Sequence, residues 1–231
     1  MKIGFDIISD LNLSPNSSFD WEGKATSLYC IVAGNISPDI KKVLGVLANI
    51  ANYYQGVFYI PGSLEYQDVS DVEARTEELI RVCKKIKNVA MLHQHVVIID
   101  GIAIVASNGW FGNVIMSDDI TEQIKELQIE DLRYLKYTIE KLQRHLDVTK
   151  IIVVTNSVPN TKFYFGEDPS YLKSQIPPNI ILIADTMKKI SHWVFATHEK
   201  VVDTIDDGIN YVNNPCFNTN PYWAKRIEVE V

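Results

Sequence analysis

Residues 28–65 read LYCIVAGNISPDIKKVLGVLANIANYYQGVFYIPGSLE. Leu28–Ala33 is a near-continuous apolar run ending in Gly34-Asn35, and Val57–Ile60 is another ending in Pro61-Gly62-Ser63. Runs this short, rich in Val, Ile and Tyr, predict strands buried on both faces. Between them, within Pro38–Tyr54, Ile40, Val43, Leu44, Leu47, Ile50 and Ala51 recur at helical spacing, with Ser37-Pro38 as cap and first-turn pair. Strand, loop, helix, strand, loop is the unit of an α/β layered domain.

The same pattern extends in both directions. Upstream, Ile3–Ile8 predicts a strand running into Ser9-Asp10. Downstream, Asp71–Lys87 predicts a second amphipathic helix, with Lys84, Lys85 and Lys87 at its solvated end. Val89–Leu92, Val96–Ile99 and Ile102–Ala106 predict a cluster of strands, and Asp100-Gly101 is a two-residue hairpin signal. Glu122–Leu146 predicts one long helix with Ile129, Leu132, Leu135, Ile139 and Leu142 on one face. Lys150–Thr155 is a strand ending at Asn156-Ser157-Val158-Pro159, and Ile180–Ala184 and Trp193–Ala196 are two more. Asn210–Val212 and Ile227–Val231 read as a closing pair. No linker, repeat or composition shift interrupts the chain, which predicts a single domain over residues 1–231.

Composition narrows the function classes. The 231 residues are 46% hydrophobic, which excludes a disordered or fibrous protein. With 22 Lys+Arg against 29 Asp+Glu the net charge is −7, which argues against a broad basic nucleic-acid surface. Cys30, Cys83 and Cys216 form no CxxC pair, so neither a disulfide framework nor a zinc knuckle is readable; buried thiols in a reducing compartment are expected. MKIGFDIISD is too short and too interrupted for a signal peptide, and no apolar run reaches the length of a membrane span. The expectation is a cytoplasmic protein without a membrane partner.

Ligands of open α/β sheets collect where loops leave the carboxyl ends of strands. The polar residues there are Asp10, Asn12, Asn35, Ser63, Glu65, Asn156, Thr197, His198 and Glu199. They lie in five segments, IISDLNLS (7–14), VAGNIS (32–37), IPGSLE (60–65), VTNSVP (154–159) and FATHEK (195–200).

In order and context these segments resemble the DxH, GD, GNH, His-before-Pro and GHxH motifs of the calcineurin-like metallophosphoesterases. NVAMLHQHVVIIDGIAIVASNGWFG (88–112) resembles the family's hairpin leading to a small residue and a Trp, and DDGINYVNNP (206–215) its final turn and Asn-Pro. The resemblance covers essentially the whole chain and implies a four-layer αββα sandwich. It also implies a vacated chemistry. The first metal's ligands fall by position on Asp10, Asn12, Asn35 and Glu199, with Asn35 at the bridging carboxylate. The second metal's fall on Asn35, Ser63, Asn156 and Thr197, and the histidine of GNH falls on Leu64. Imidazole and carboxylate donors hold Mn, Fe or Zn, and a bridging carboxylate offsets the repulsion between two dications. A set of Asn, Asn, Ser and Thr offers no charge. The first set keeps Asp10 and Glu199, and its all-oxygen ligation suits a single weakly bound hard cation, Mg or Ca, with Mn also admissible, if any cofactor at all.

The remaining histidines read as structural. His93 and His95 alternate and would share one face of a hairpin strand, His145 suits a helix C-terminus, and His192-Trp193 leads into a packed strand. His198 lies one position out of register with the motif histidines. Phe163, Tyr164 and Phe165 precede Gly166-Glu167-Asp168-Pro169 and read as a surface loop, either a core flap or a binding edge, with the core flap favoured. Three functions stay open. The first is a non-catalytic binding or structural component with an unknown protein partner. The second is a phosphatase or phosphodiesterase using one hard metal with His198 assisting. The third is a sensor of phosphate or a phosphate-containing small molecule. Degenerate members of the resembled family serve as scaffold subunits in retromer and in replicative polymerases.

Overall fold

The computed structural model describes residues 1–110, 118–164, 177–182, 187–196, 200–216 and 222–231. The buried apolar runs form two sheets. In the first, β1 (Lys2–Ile8), β2 (Tyr29–Val32), β3 (Gly56–Tyr59) and β4 (Val89–Met91) are parallel neighbours in that order, and β11 (Lys225–Glu230) joins the outer edge of β1 antiparallel. The second contains β5 (His95–Ile99), β6 (Ile102–Ser107), β7 (Lys150–Thr155), β8 (Ile190–Val194), β9 (Asp203–Asp206) and β10 (Ile209–Val212), in the order β5-β6-β7-β8-β10-β9. Strands β6, β7, β8 and β10 run parallel.

Three apolar clusters stack these sheets into layers. Helices α1 (Ile40–Ala51) and α2 (Val72–Cys83) pack Val43, Leu47, Ile50 and Leu79 onto Val32, Val57 and Tyr59 of the first sheet. Phe5, Ile7, Ile31 and Phe58 meet Ile104, Ile152, Val154 and Val212 between the sheets. Helix α3 (Asp118–Arg144) covers the second sheet, placing Leu135, Ile139 and Leu142 against Val153, Trp193 and Tyr211. The expected αββα order is therefore present, and every strand of the parallel blocks delivers its carboxyl end to the same rim.

Several expectations need correction. Helix α1 is capped by Asp39, whose side chain accepts from Lys41 N at 2.8 Å, rather than by Ser37-Pro38. Pro178–Ile181 is a 3-10 turn, not a strand, and Ile180 is 64% exposed; Pro177 and Pro178 lack the N–H groups that a ladder requires. Residues 183 and 184 lie outside the described residues. Asn210–Val212 and Ile227–Val231 do not pair with each other: β10 forms a hairpin with β9 through Asp207-Gly208, and β11 closes the first sheet. Ile129 is exposed, since it lies about 100° around the helix from the centre of the buried stripe. His93 and His95 do not share a strand, because Gln94 takes a left-handed backbone (φ +46) and breaks it.

Other expectations match the structure. Asp100 (φ +46) and Gly101 (φ +84) make the β5–β6 turn. His145 closes α3 by donating its N–H to Leu142 O. Phe163 is buried against Phe195 and Tyr211, while Phe165 lies outside the described residues. Cys30, Cys83 and Cys216 are buried and form no disulfide. Among the described residues no helix is long and apolar enough to cross a membrane.

Asp6 interrupts the apolar run of β1 yet is fully buried. Its carboxylate accepts from Thr26 N (2.6 Å), Thr26 Oγ1 (2.5 Å) and Tyr54 Oη (2.8 Å), and Tyr54 Oη accepts in turn from Trp21 Nε1 (3.0 Å). Paired in this way, a buried charge is tolerated.

His192, in β8, is buried with Nδ1 at 3.0 Å from Ser191 Oγ. Burial holds it down at about 4. The unfolded chain then takes up this proton between pH 6.5 and about 4 while the folded chain does not. The stability His192 confers is complete above pH 6.5 and is lost as pH falls through that window, by roughly 3 kcal/mol in all. Urea midpoints of the parent and His192→Gln should diverge between pH 7 and pH 4, with the parent showing the steeper acid loss.

Candidate functional site

The rim formed by the strand ends brings together residues that are distant in sequence. Asp10 follows β1, Asn35 follows β2, and Ser63 follows β3. All three belong to the first sheet, and Asn156 enters from the end of β7 in the second. Asp10 (φ +51), Asn12 (φ +47) and Asn35 (φ +58) all take the left-handed backbone that Asp and Asn tolerate best after glycine. These conformations fold the β1 and β2 loops over each other, with Asp10 N donating to Gly34 O (3.1 Å) and Asn12 N to Asn35 O (2.9 Å).

Asn35 is the hub. Its Nδ2 donates to Asp10 Oδ1 at 2.7 Å, and its Oδ1 accepts from Leu64 N at 3.0 Å and from Ser63 Oγ at 3.4 Å. Asn156 Oδ1 accepts from Ser63 N (3.2 Å), and Asn156 Nδ2 donates to Ala33 O (2.9 Å), which ties the second sheet to the first. Asp10 and Asn35 are each 5% exposed and Asn156 is fully buried, so solvent screens these contacts poorly.

Glycine makes the convergence possible. A Cβ on Gly62 would stand 2.2 Å from Asn35 Oδ1 and 2.5 Å from Asn156 Nδ2, and one on Gly34 (φ +86) would stand 2.6 Å from Gly62 N.

Glu65 holds the loops from behind. The 3-10 turn Ser63–Tyr66 swings this buried side chain back, where it accepts from Asn35 N (3.0 Å), Ile36 N (2.6 Å) and Gly62 N (2.7 Å). Burial pushes its carboxyl up to about 7, opposed by these backbone N–H groups, which favour the ionised form. A second internal carboxylate, Asp131 of α3, accepts from Gly109 N (2.9 Å) and Gln94 Nε2 (3.2 Å), and burial raises it to about 6.

Two further asparagines repeat the cross-sheet link. Asn108, after β6, donates Nδ2 to Pro61 O (3.0 Å), and Asn214, after β10, donates Nδ2 to Ile7 O (2.9 Å). With Asn156 they make three amide rungs from the second sheet to carbonyls at the ends of β3, β2 and β1. Ser9 Oγ, Ser107 Oγ, Ser157 Oγ and Asn214 Oδ1 are buried nearby without a hydrogen-bonding partner; all four are neutral oxygens.

Asp10, Asn35, Ser63 and Asn156 thus meet, as the strand-end reading expects. Asn12 does not join them through its side chain: the residue is exposed, and its backbone N–H is what enters the network. Thr197, His198 and Glu199 lie outside the described residues. Asn108, Asn214 and Asp131 are additional participants. Among the described residues no group of three or more His, Cys, Asp or Glu side chains converges as a metal cluster would.

Two packed, parallel-rich sheets flanked by helices, with all these loops at one rim, define an α/β sandwich of the metallophosphoesterase type. The chain resembles phosphopantetheinyl hydrolase (PptH) from Mycobacterium tuberculosis with a TM-score of 0.63 at 14% identity, covering 98% of this chain and 96% of that one. GAP50, the anchor in the inner membrane complex of Plasmodium, is similar with a TM-score of 0.51 at 10% identity, covering 92% and 71%. In sequence, the uncharacterized protein L509 of Acanthamoeba polyphaga mimivirus is 22% identical over 212 residues, which is 87% of this chain. The chain spans 66% of the length of that relative. No protein-family profile matches it.

Proposed function

We propose that this chain is a metallophosphoesterase-fold protein with a degenerate dinuclear site, working as a binding or structural component rather than as a hydrolase. The observation that carries this reading is Asn35, at the position corresponding to the bridging carboxylate. A bridging ligand must turn lone pairs toward both ions. Asn35 instead turns N–H toward Asp10, and its oxygen already accepts from Leu64 N and Ser63 Oγ. The Asn156 oxygen is likewise engaged by Ser63 N. Neutral amides already engaged by Asp10, Ser63, Leu64 and Ala33 do not fit a two-ion centre. Leu64, at the position of the motif histidine, supplies no proton donor, and general acid–base groups typically contribute ~10²–10⁴-fold.

The same hydrogen bonds argue against a phosphate sensor. The backbone N–H groups of Asn35, Ile36 and Gly62 are donated to Glu65, those of Ser63 and Leu64 to Asn156 and Asn35. An incoming anion would have to displace internal acceptors. These contacts support a protein partner over an anion as the ligand. The fold accommodates both kinds of role, since the similar structures include a hydrolase and an anchor.

The test pairs metal binding with turnover. Chelator-treated protein should bind no pair of Mn²⁺ ions at micromolar affinity and should not hydrolyse an aryl phosphodiester in their presence. Turnover that disappears in Asp10→Ala, with no pair of Mn²⁺ ions bound, would instead favour a hydrolase with a single hard metal.

A further inference from the structure

We infer that Asn35 has converted the ion-bridging position into a hydrogen-bonded clasp, leaving the fold indifferent to divalent cations but one substitution, Asn35→Asp, away from depending on them. The inference rests on the degenerate-site reading above and extends it to what replaced the metal.

In a dinuclear centre the ions themselves hold the loops together, because each bridges donors from several strand ends. Here the Asn35 amide spans the same junction, reaching Asp10 after β1 and Leu64 and Ser63 after β3. These side-chain contacts differ in what they demand. A carboxylate at position 35 could still accept from Leu64 N and Ser63 Oγ. Of these described contacts, the one at 2.7 Å to Asp10 Oδ1 requires a donor. Asn35→Asp would set two carboxylate oxygens against each other there, at positions only 5% exposed, where like charges repel strongly. The backbone does not complicate this change, because Asp and Asn both tolerate the left-handed conformations found at residues 10 and 35. A hard cation would relieve the repulsion that the substitution creates. Exchanging the two groups, Asp10→Asn with Asn35→Asp, would restore one donor facing one acceptor at unchanged net charge.

Thermal unfolding at neutral pH, first in chelator and then with Mg²⁺, Ca²⁺ or Mn²⁺ added singly, tests this with four forms. Asn35→Asp should lose about 5 °C or more of Tm in chelator and regain it with increasing cation. The double variant should recover most of that loss in chelator and ignore cations, and Asp10→Asn alone completes the cycle. The clasp is refuted if Asn35→Asp matches the parent in chelator, or if the double variant is no more stable than Asn35→Asp. Should Asn35→Asp fail to fold, a folded double variant supports the clasp and an unfolded one refutes it. A loss that no cation reverses refutes the cation dependence. A cation-dependent Tm in the parent would refute the indifference inferred here and count against the degenerate-site reading, while the comparison in chelator would still judge the clasp.

Discussion

Gly62→Ala should lower Tm by about 10 °C or more. The cause is space rather than backbone strain, since Gly62 has an ordinary φ of −104°. Its added Cβ would lie 2.2 Å from Asn35 Oδ1, 2.5 Å from Asn156 Nδ2 and 2.5 Å from the Asn35 backbone nitrogen. None of these atoms is the free end of a flexible chain, because each is held by the hydrogen bonds of the rim. The loop must move, and it takes with it the Asn35–Leu64 and Asn156–Ser63 contacts. Overpacking costs about 1–3 kcal/mol and each broken buried hydrogen bond a similar amount, so roughly 4 kcal/mol in total is expected. Gly45→Ala is the contrast: nothing lies within 4 Å of its Cβ, and within α1 the change should stabilise by about 0.5–1 kcal/mol. Thermal melts of the two variants beside the parent check both signs.

Glu65→Ala should be of similar severity for a different reason. Removing this carboxylate strands the N–H groups of Asn35, Ile36 and Gly62 in a site that is 1% exposed at Glu65. Unsatisfied buried donors cost about 1–3 kcal/mol each, and the cavity adds to that, so a loss of roughly 4 kcal/mol or more is expected. Glu65→Gln keeps the volume and one acceptor oxygen but turns an NH₂ group toward a backbone N–H, so it should recover only part of the loss. Urea denaturation of the three forms orders them: parent, Gln, Ala. Equal stability of the Gln and Ala variants would mean that volume contributes nothing, and equal stability of all three would mean that Glu65 does not organise the loops.

The parts of this fold that could be read from sequence are those whose environment is the same on both faces. Strands β1, β2, β3 and β7 are nearly all apolar because sheet and helix layers cover them, and each ends where its run ends. Strand β9 could not be read, because Asp203-Thr204-Ile205-Asp206 lies at a sheet edge with its side chains mostly in solvent. The assignment of β10 and β11 to different sheets rests on pairing partners distant in the chain, which local pattern does not encode. At the site, Asp10, Asn35, Ser63 and Asn156 were legible because each follows a buried strand. Asn108 and Asn214 carry the same signal, a polar residue two positions past an apolar run, at the ends of β6 and β10. Asp131 was detectable only through helical phase, since it lies four residues before the buried Leu135. The hydrogen bonds that tie these residues to one another had no signature in sequence at all, because an asparagine on a loop reads the same whether it faces a metal, a backbone or water.

Titration calorimetry of chelator-treated protein with Mn²⁺ at pH 7 separates a degenerate site from a working dinuclear one. With Asn35 and Asn156 committed to Asp10, Leu64, Ser63 and Ala33, the isotherm should show no pair of tight sites. Two Mn²⁺ ions bound per chain at micromolar affinity would contradict the degenerate-site reading, because both amides would then have to release these partners to become ligands.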